Sequence, residues 1–250
     1  MLTKLVNAPK GVSLSISDIA GEDFAARMAR LGLYKGARLM RLDESVTMGP
    51  IKVQGSLGNA VLSGWLAGQV VIHLEDGRRI PLPECSPGDS GHVEGITGQD
   101  VVEESLRELG IAEHDRIVFL RRIPPMNYAF HVTGEDWQGS RQRFRMNEFL
   151  AAHVLGTTEE GPAQFSSVGM GENFTVRRIL PGEGAEAALA SMNVVPGAQI
   201  VLESVSISHD MHFTHHAPVA CVTKEGLRLY MTEADAQRII VSPESGPRPV

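Results

Sequence analysis

Residues 19–33 read Ile19-Ala20-Gly21-Glu22-Asp23-Phe24-Ala25-Ala26-Arg27-Met28-Ala29-Arg30-Leu31-Gly32-Leu33, and the same design recurs twice further along the chain. The second copy runs from Ile96-Thr97-Gly98 to Leu109-Gly110-Ile111, and the third from Leu180-Pro181-Gly182 to Met192-Asn193-Val194. In each, an Ile/Leu-x-Gly turn opens a helix with apolar residues at i, i+4 and i+7. These are Phe24, Met28 and Leu31, then Val102, Leu106 and Leu109, then Ala185, Leu189 and Met192. That spacing puts each trio on one stripe, which has to be buried. The residue after each helix is Gly32, Gly110 or Asn193, the types that best accept a left-handed backbone at a helix end.

Working outward, each helix is followed by an alternating strand pattern: Ala37 to Leu42, Arg116 to Leu120 and Ala198 to Leu202. Each copy then closes on an Ala-led turn and a short strand, at Ala67-Gly68-Gln69-Val70, Ala151-Ala152-His153-Val154 and Ala236-Gln237-Arg238-Ile239. Four landmarks in one order, three times over, define an internal repeat, and a repeat of this kind governs the reading of the whole fold. It predicts three small domains over residues 1–77, 78–158 and 159–250. Each has about the size at which a minimal core becomes possible. Arg78 to Glu84 and Thr157 to Gly171 read as linkers, and the proline-rich tail from Pro243 to Val250 as free.

Hydrophobic content of 42% and charged content of 21% are ordinary for a globular chain. No apolar run approaches the roughly 18 residues of a membrane span, and Met1 to Val12 lacks a signal-peptide core. A cytoplasmic protein is therefore expected. Net charge is −7, which argues against nonspecific nucleic-acid binding. The two cysteines, Cys85 and Cys221, fall in different repeats and do not suggest a disulfide framework.

The ordered pattern is a helix ending Arg-x-x-x-Leu-Gly-Leu, then Gly-Ala, a strand, a Gly-Pro-Ile/Val step, a Gly turn and a closing Ala-x-x-Ile-x-Val. It resembles the FeoA family, small SH3-like accessory proteins of bacterial ferrous-iron transport. The first repeat carries Arg27, Leu31-Gly32-Leu33, Gly36-Ala37, Met48-Gly49-Pro50-Ile51 and Gly55. The third carries Gly197-Ala198, Ala217-Pro218-Val219, Gly226 and Met231 through Val241. The second departs most, with His114-Asp115 in place of Gly-Ala and no Gly-Pro-Ile step. The resemblance implies a mainly β fold of three tandem SH3-like small barrels, each with one amphipathic helix. It implies a non-enzymatic cytosolic adaptor in iron transport or homeostasis. Its partner would be the cytosolic domain of a ferrous-iron transporter or another copy of itself, with at most peripheral contact to a membrane, no nucleic acid and no required cofactor.

The repeats differ most between the helix end and the closing Ala, where the second and third are longer and the extra length is assigned to a hairpin. In the third repeat this stretch holds His209, Asp210, His212, His215 and His216. Neutral imidazoles with a nearby carboxylate suit a divalent transition ion such as Fe, Zn or Ni. They read as candidate ligands of a metal sensor or chaperone, or as solvated residues of a polar hairpin; Cys221 joins them only if the hairpin folds back. In the second repeat, Arg141, Arg143 and Arg145 alternate along a strand and so share a face. Arg121 and Arg122 are expected on the facing strand, with Tyr128 and Phe130 close by. This face reads as a docking site for an acidic partner, or as a solvated surface with its aromatics in the core. No Gly-x-Ser-x-Gly, phosphate loop, His-Glu-x-x-His or Cys-x-x-Cys is present, so no enzyme is expected.

Overall fold

The structure is a computed structural model and describes residues 2–44, 46, 48–133, 142–182, 184–208 and 218–244. The first repeat forms β1 (Thr3–Lys4), β2 (Ser13–Ile19), α1 (Glu22–Arg30), β3 (Arg38–Arg41), β4 (Ile51–Gly55), β5 (Gly58–Leu62), α2 (Gly64–Gly68) and β6 (Val70–Leu74). The second forms β7 (Arg79–Pro81), β8 (Ser90–Ile96), α3 (Asp100–Glu108), β9 (Arg116–Arg122), β10 (Met126–Thr133), β11 (Arg143–Asn147), α4 (Glu148–Ala152) and β12 (Val154–Thr158). The third forms β13 (Gly161–Gln164), β14 (Asn173–Ile179), α5 (Ala185–Ser191), β15 (Gln199–Ile207), β16 (Val219–Thr223), β17 (Arg228–Met231), α6 (Glu233–Ala236) and β18 (Ile239–Pro243). The succession is the same each time, so the repeat seen in sequence is a repeat of structure.

The local signals are realised at the residues that carry them. Phe24, Met28, Leu31, Val102, Leu106, Leu109, Ala185 and Leu189 are buried; Met192, the last of the third stripe, is half-buried. Gly32, Gly110 and Asn193 hold φ of 84°, 74° and 58° and end the three helices. Four residues on, Gly36, His114 and Gly197 turn the chain into the next strand with φ of 89°, 72° and 92°. At each turn the amide N–H donates to a strand carbonyl, that of Ile16, Val93 or Val176. His114 thus occupies a left-handed position that the other two repeats give to glycine.

The sheets follow a frame shifted by half a repeat. All are antiparallel and six-stranded: β1-β18-β2-β3-β16-β17, then β7-β6-β8-β9-β4-β5, then β13-β12-β14-β15-β10-β11. The second half of one repeat and the first half of the next make each sheet. Residues 51–122 hold the whole second sheet and residues 126–207 the whole third. The first combines both ends of the described chain. The units of packing therefore do not coincide with the ranges 1–77, 78–158 and 159–250. In none of the sheets do the outer strands pair with each other, so the sheets are open.

Proline marks each passage between sheets. Pro50, Pro125 and Pro218 immediately precede β4, β10 and β16. The shortest passage is Ile123-Pro124-Pro125, between β9 of the second sheet and β10 of the third. A two-residue hairpin of the favoured kind needs positive φ at its centre, which proline cannot adopt, and a residue before proline is itself pushed to extended backbone. The chain runs on instead. Ile123 N–H donates to Pro50 in one sheet, and Pro125 C=O accepts from Ser208 in the other. In the first passage Met48 crosses α2 so closely that a Cβ on Gly64 would overlap the Met48 carbonyl, which reserves that position for glycine.

The segments expected to be linkers are parts of sheets. Arg79–Pro81 is an edge strand on β6, and Leu82 beyond it is buried. Gly161–Gln164 is an edge strand on β12, followed by the fully buried Phe165. Pro81 and Pro162 are compatible with this because an edge strand needs only one row of donors. The expected free tail is ordered at its start: Pro243 pairs with Leu14, and Glu244 bridges to Arg38 at 2.5 Å. One apolar core lies on each sheet, centred on Phe24 and Met28, on Phe119 and Leu106, and on Phe130, Phe165 and Phe174. Each such aromatic contributes on the order of 2–3 kcal/mol by leaving water. Cys85 and Cys221 are free thiols in the first two of these cores, and burial pushes both up to about 12, so they stay protonated.

Because His114 sits where its counterparts are glycine, His114→Gly is expected to raise stability by about 0.5–1 kcal/mol. Urea unfolding checks this through the transition midpoint, and an unchanged or lowered midpoint contradicts it.

Candidate functional site

Two of the three strands that lead into the short helices, β5 and β17, are bonded to a neighbouring sheet. These helices start on a capping side chain: Ser63 accepts from Leu66 N–H at 3.3 Å, Asn147 from Leu150 at 3.0 Å and Thr232 from Asp235 at 3.1 Å. Two residues before the caps stand Val61, Arg145 and Tyr230, on the edge strands β5, β11 and β17. The Tyr230 carbonyl accepts the Thr97 hydroxyl of the second sheet at 2.8 Å, and the Tyr230 hydroxyl donates to Glu84 at 2.6 Å. The Val61 N–H and C=O are both satisfied by the Gln164 amide of the third sheet, each at 2.8 Å. Ion pairs reinforce the joints, Arg27 to Asp100 at 2.9 Å and Arg178 to Glu104 at 3.2 Å, with Arg178 also meeting Glu108.

Arg145 has no such cover among the described residues. Its strand is the outer one of the third sheet, and Arg143 and Arg145 are both exposed while Phe144 is half-buried and Met146 is buried. The expected alternation therefore holds for the two described arginines; Arg141 lies outside the described residues. Arg143 is not a free cation. Its Nε meets Glu203 at 2.8 Å, and Glu203 also takes His131 Nδ1 at 2.9 Å.

Of the residues expected beside this face, Arg121 is on another sheet and Tyr128 is buried. Arg121 lies on β9 of the second sheet, paired with Lys52, because Ile123-Pro124-Pro125 carries the chain away instead of folding it back. The strand that faces β11 is β10. Tyr128 is in that strand but only 4% exposed, with its hydroxyl donating to Glu148 Oε2 at 2.5 Å. It is a core residue and offers nothing to a partner. Glu148 is itself buried, and desolvation lifts its carboxyl to about 7 despite the Tyr128 hydrogen bond. The histidine-rich stretch, with His209, Asp210, His212, His215 and His216, lies outside the described residues. Its described flanks, β15 and β16, belong to different sheets and do not pair with each other. Cys221, beyond it, is fully buried on β16.

One cluster was not singled out in the sequence. His73 on β6 pairs directly with His92 on β8, and Glu94 follows two residues later on the same face. His73 Nδ1 and His92 Nε2 lie 3.5 and 3.6 Å from Glu94 Oε2. The signal was available only by comparing repeats, since the paired positions are Thr157 and Thr175 in the third sheet and Ser242 and Ser15 in the first.

No helix among the described residues is long and apolar enough to cross a membrane. Comparison with protein-family models, with curated proteins and with solved structures returned no match.

The raised Glu148 carboxyl gives a pH dependence with a definite sign. The folded state holds the proton more tightly than the unfolded one. Its contribution is therefore complete below about pH 4.5 and is lost as pH rises to about 7. On the order of 2–3 kcal/mol is at stake. Glu148→Gln is expected to flatten the fall in stability between pH 5 and pH 8 seen in urea unfolding; equal slopes for both proteins contradict the assignment.

Proposed function

We propose that this protein is a non-enzymatic adaptor that docks an extended, acidic segment of a partner protein on the open edge of β11. The observation that carries this reading is the exception to a threefold rule. The equivalent edges at Val61 and Tyr230 are capped by side chains of the next sheet, whereas no described residue caps Arg145. An open edge recruits a strand through its unused main-chain donors and acceptors. Arg145 beside it selects for acidic side chains, and so steers the encounter.

The sequence resemblance to FeoA-like proteins gives the setting: each sheet with its helices is read as an SH3-like barrel, and the partner as the cytosolic domain of a ferrous-iron transporter. The protein then works in the cytoplasm, at the membrane only through that partner. Linked sheets of like build also allow more than one contact at once, which raises avidity when geometry permits.

The test is surface plasmon resonance between the full chain and the cytosolic domain of the host's ferrous-iron transporter. Arg145→Glu is expected to weaken binding about tenfold or more, in line with reversal of a charge at an interface. Arg121→Glu, on another sheet, is expected to leave it unchanged. Equal affinity for all three proteins, or no binding at all, sinks the proposal.

A further inference from the structure

We infer that His73, His92 and Glu94 form a binding site for a divalent transition-metal ion on the solvent face of the second sheet. The site does not depend on the docking edge, which lies on another sheet.

The register of two strands builds it. His73 and His92 are direct cross-strand partners, which brings their ring centroids to 4.9 Å. Between Val71 and Ile72 the ladder slips by one residue: Val71 pairs with Gly95 and Ile72 with Val93, so Glu94 is the extra residue of a β-bulge. Bulges re-aim side chains. Here the bulged residue is the carboxylate, and it sits over both imidazoles. One ligand atom from each of the three residues lies within 4.8 Å of the other two. Two of the three separations, at 3.5 and 3.6 Å, are close to the roughly 3.3 Å between ligand atoms that bonds of about 2.0–2.1 Å impose on a tetrahedral ion. The other carboxylate oxygen, Oε1, is held by Arg79 at 3.4 Å, which orients the group and leaves Oε2 toward the histidines. Such an outer partner is the usual companion of a metal-ligating carboxylate.

The fold does not need these residues. At the same places the third sheet has Thr157, Thr175 and Arg177, and the first has Ser242, Ser15 and Ser17. The ladder forms with small hydroxyls there, so its own stability does not call for two imidazoles and a carboxylate side by side. All three groups are half-buried, so an ion can reach them from solvent. Two imidazole nitrogens and one carboxylate oxygen favour the borderline divalent ions, Fe(II), Co(II), Ni(II) or Zn(II), over Mg(II) or Ca(II), which take oxygen ligands. Three protein ligands leave further coordination positions open to water or to a small anionic ligand.

The experiment is titration of the full chain with Co(II) and with Zn(II), by calorimetry and by the Co(II) absorption bands. Three variants are compared: His73→Thr with His92→Thr, which installs the residues of the third sheet; Glu94→Gln; and His212→Ala with His215→Ala, which disables the separate histidine-rich stretch. A one-ion site is expected in the native protein, retained in the His212/His215 variant, weakened about tenfold or more by Glu94→Gln and lost in the His73/His92 variant. The direct readout is Co(II) paramagnetic broadening of the His73 and His92 ring signals in the NMR spectrum of the unaltered protein. No uptake by the native protein, uptake lost only in the His212/His215 variant, or His73 and His92 signals untouched by Co(II), each overturns the inference. None of these results depends on whether β11 binds a partner.

Discussion

Everything in this protein depends on where the chain is prevented from turning back. A strand ending at Arg122 followed by Ile123-Pro124-Pro125 cannot make a tight hairpin, because proline fixes φ near −65° and removes the donor. The following strand has to be laid in the next sheet. Equivalent prolines stand before β4 and β16. Each sheet is consequently completed by strands of two different repeats, through ladders such as β4–β9, β10–β15 and β3–β16. The sheets are welded at their edges by buried groups that reach across, the Gln164 amide above all. A chain that could have been beads on a string is bonded from sheet to sheet.

Threefold repetition also gives a means of separating structural residues from specific ones. Residues that recur at equivalent positions do folding work: the helix stripe, the left-handed stop, the capped short helix. Residues that break the pattern invite another account. His114 breaks it at a local cost in backbone energy. Arg145 breaks it by standing on an edge that no neighbouring sheet covers among the described residues. His73, His92 and Glu94 break it by putting metal-ligand chemistry where the other sheets hold hydroxyls and an arginine. In that sense the sites are defined by subtraction, with two copies of the same protein serving as the reference.

How much was legible in the sequence follows from the range of the interactions concerned. The helices ending at Leu31, Leu109 and Met192 and their stops were readable, because helix periodicity and left-handed geometry are decided within a few residues. The order of elements within each repeat was readable for the same reason. The frame of the sheets was not: pairing β4 with β9 rather than with β3 is a long-range choice, and the pattern of alternating apolar residues is identical for either. Pro50 and Pro218 were visible, but as members of a motif and not as barriers to a hairpin. That frame puts Arg121 on a different sheet from Arg143 and makes β7 and β13 edge strands instead of linkers. Whether Tyr128 faces a partner or the core was left open by the sequence, because its hydroxyl's partner, Glu148, lies on a helix 20 residues further on. His73 and His92 are invisible as a pair until the register of β6 against β8 is known.

The half-repeat frame is tested most directly by cutting the chain both ways. Residues 50–123 contain the complete second sheet, and residues 78–158 contain one complete sequence repeat whose halves belong to different sheets. The two fragments are compared by 1H–15N NMR and by thermal unfolding at matched concentration. Residues 50–123 are expected to give dispersed amide signals and a cooperative transition as a monomer, and residues 78–158 to give neither. A folded monomer from 78–158 together with an unfolded 50–123 contradicts the account.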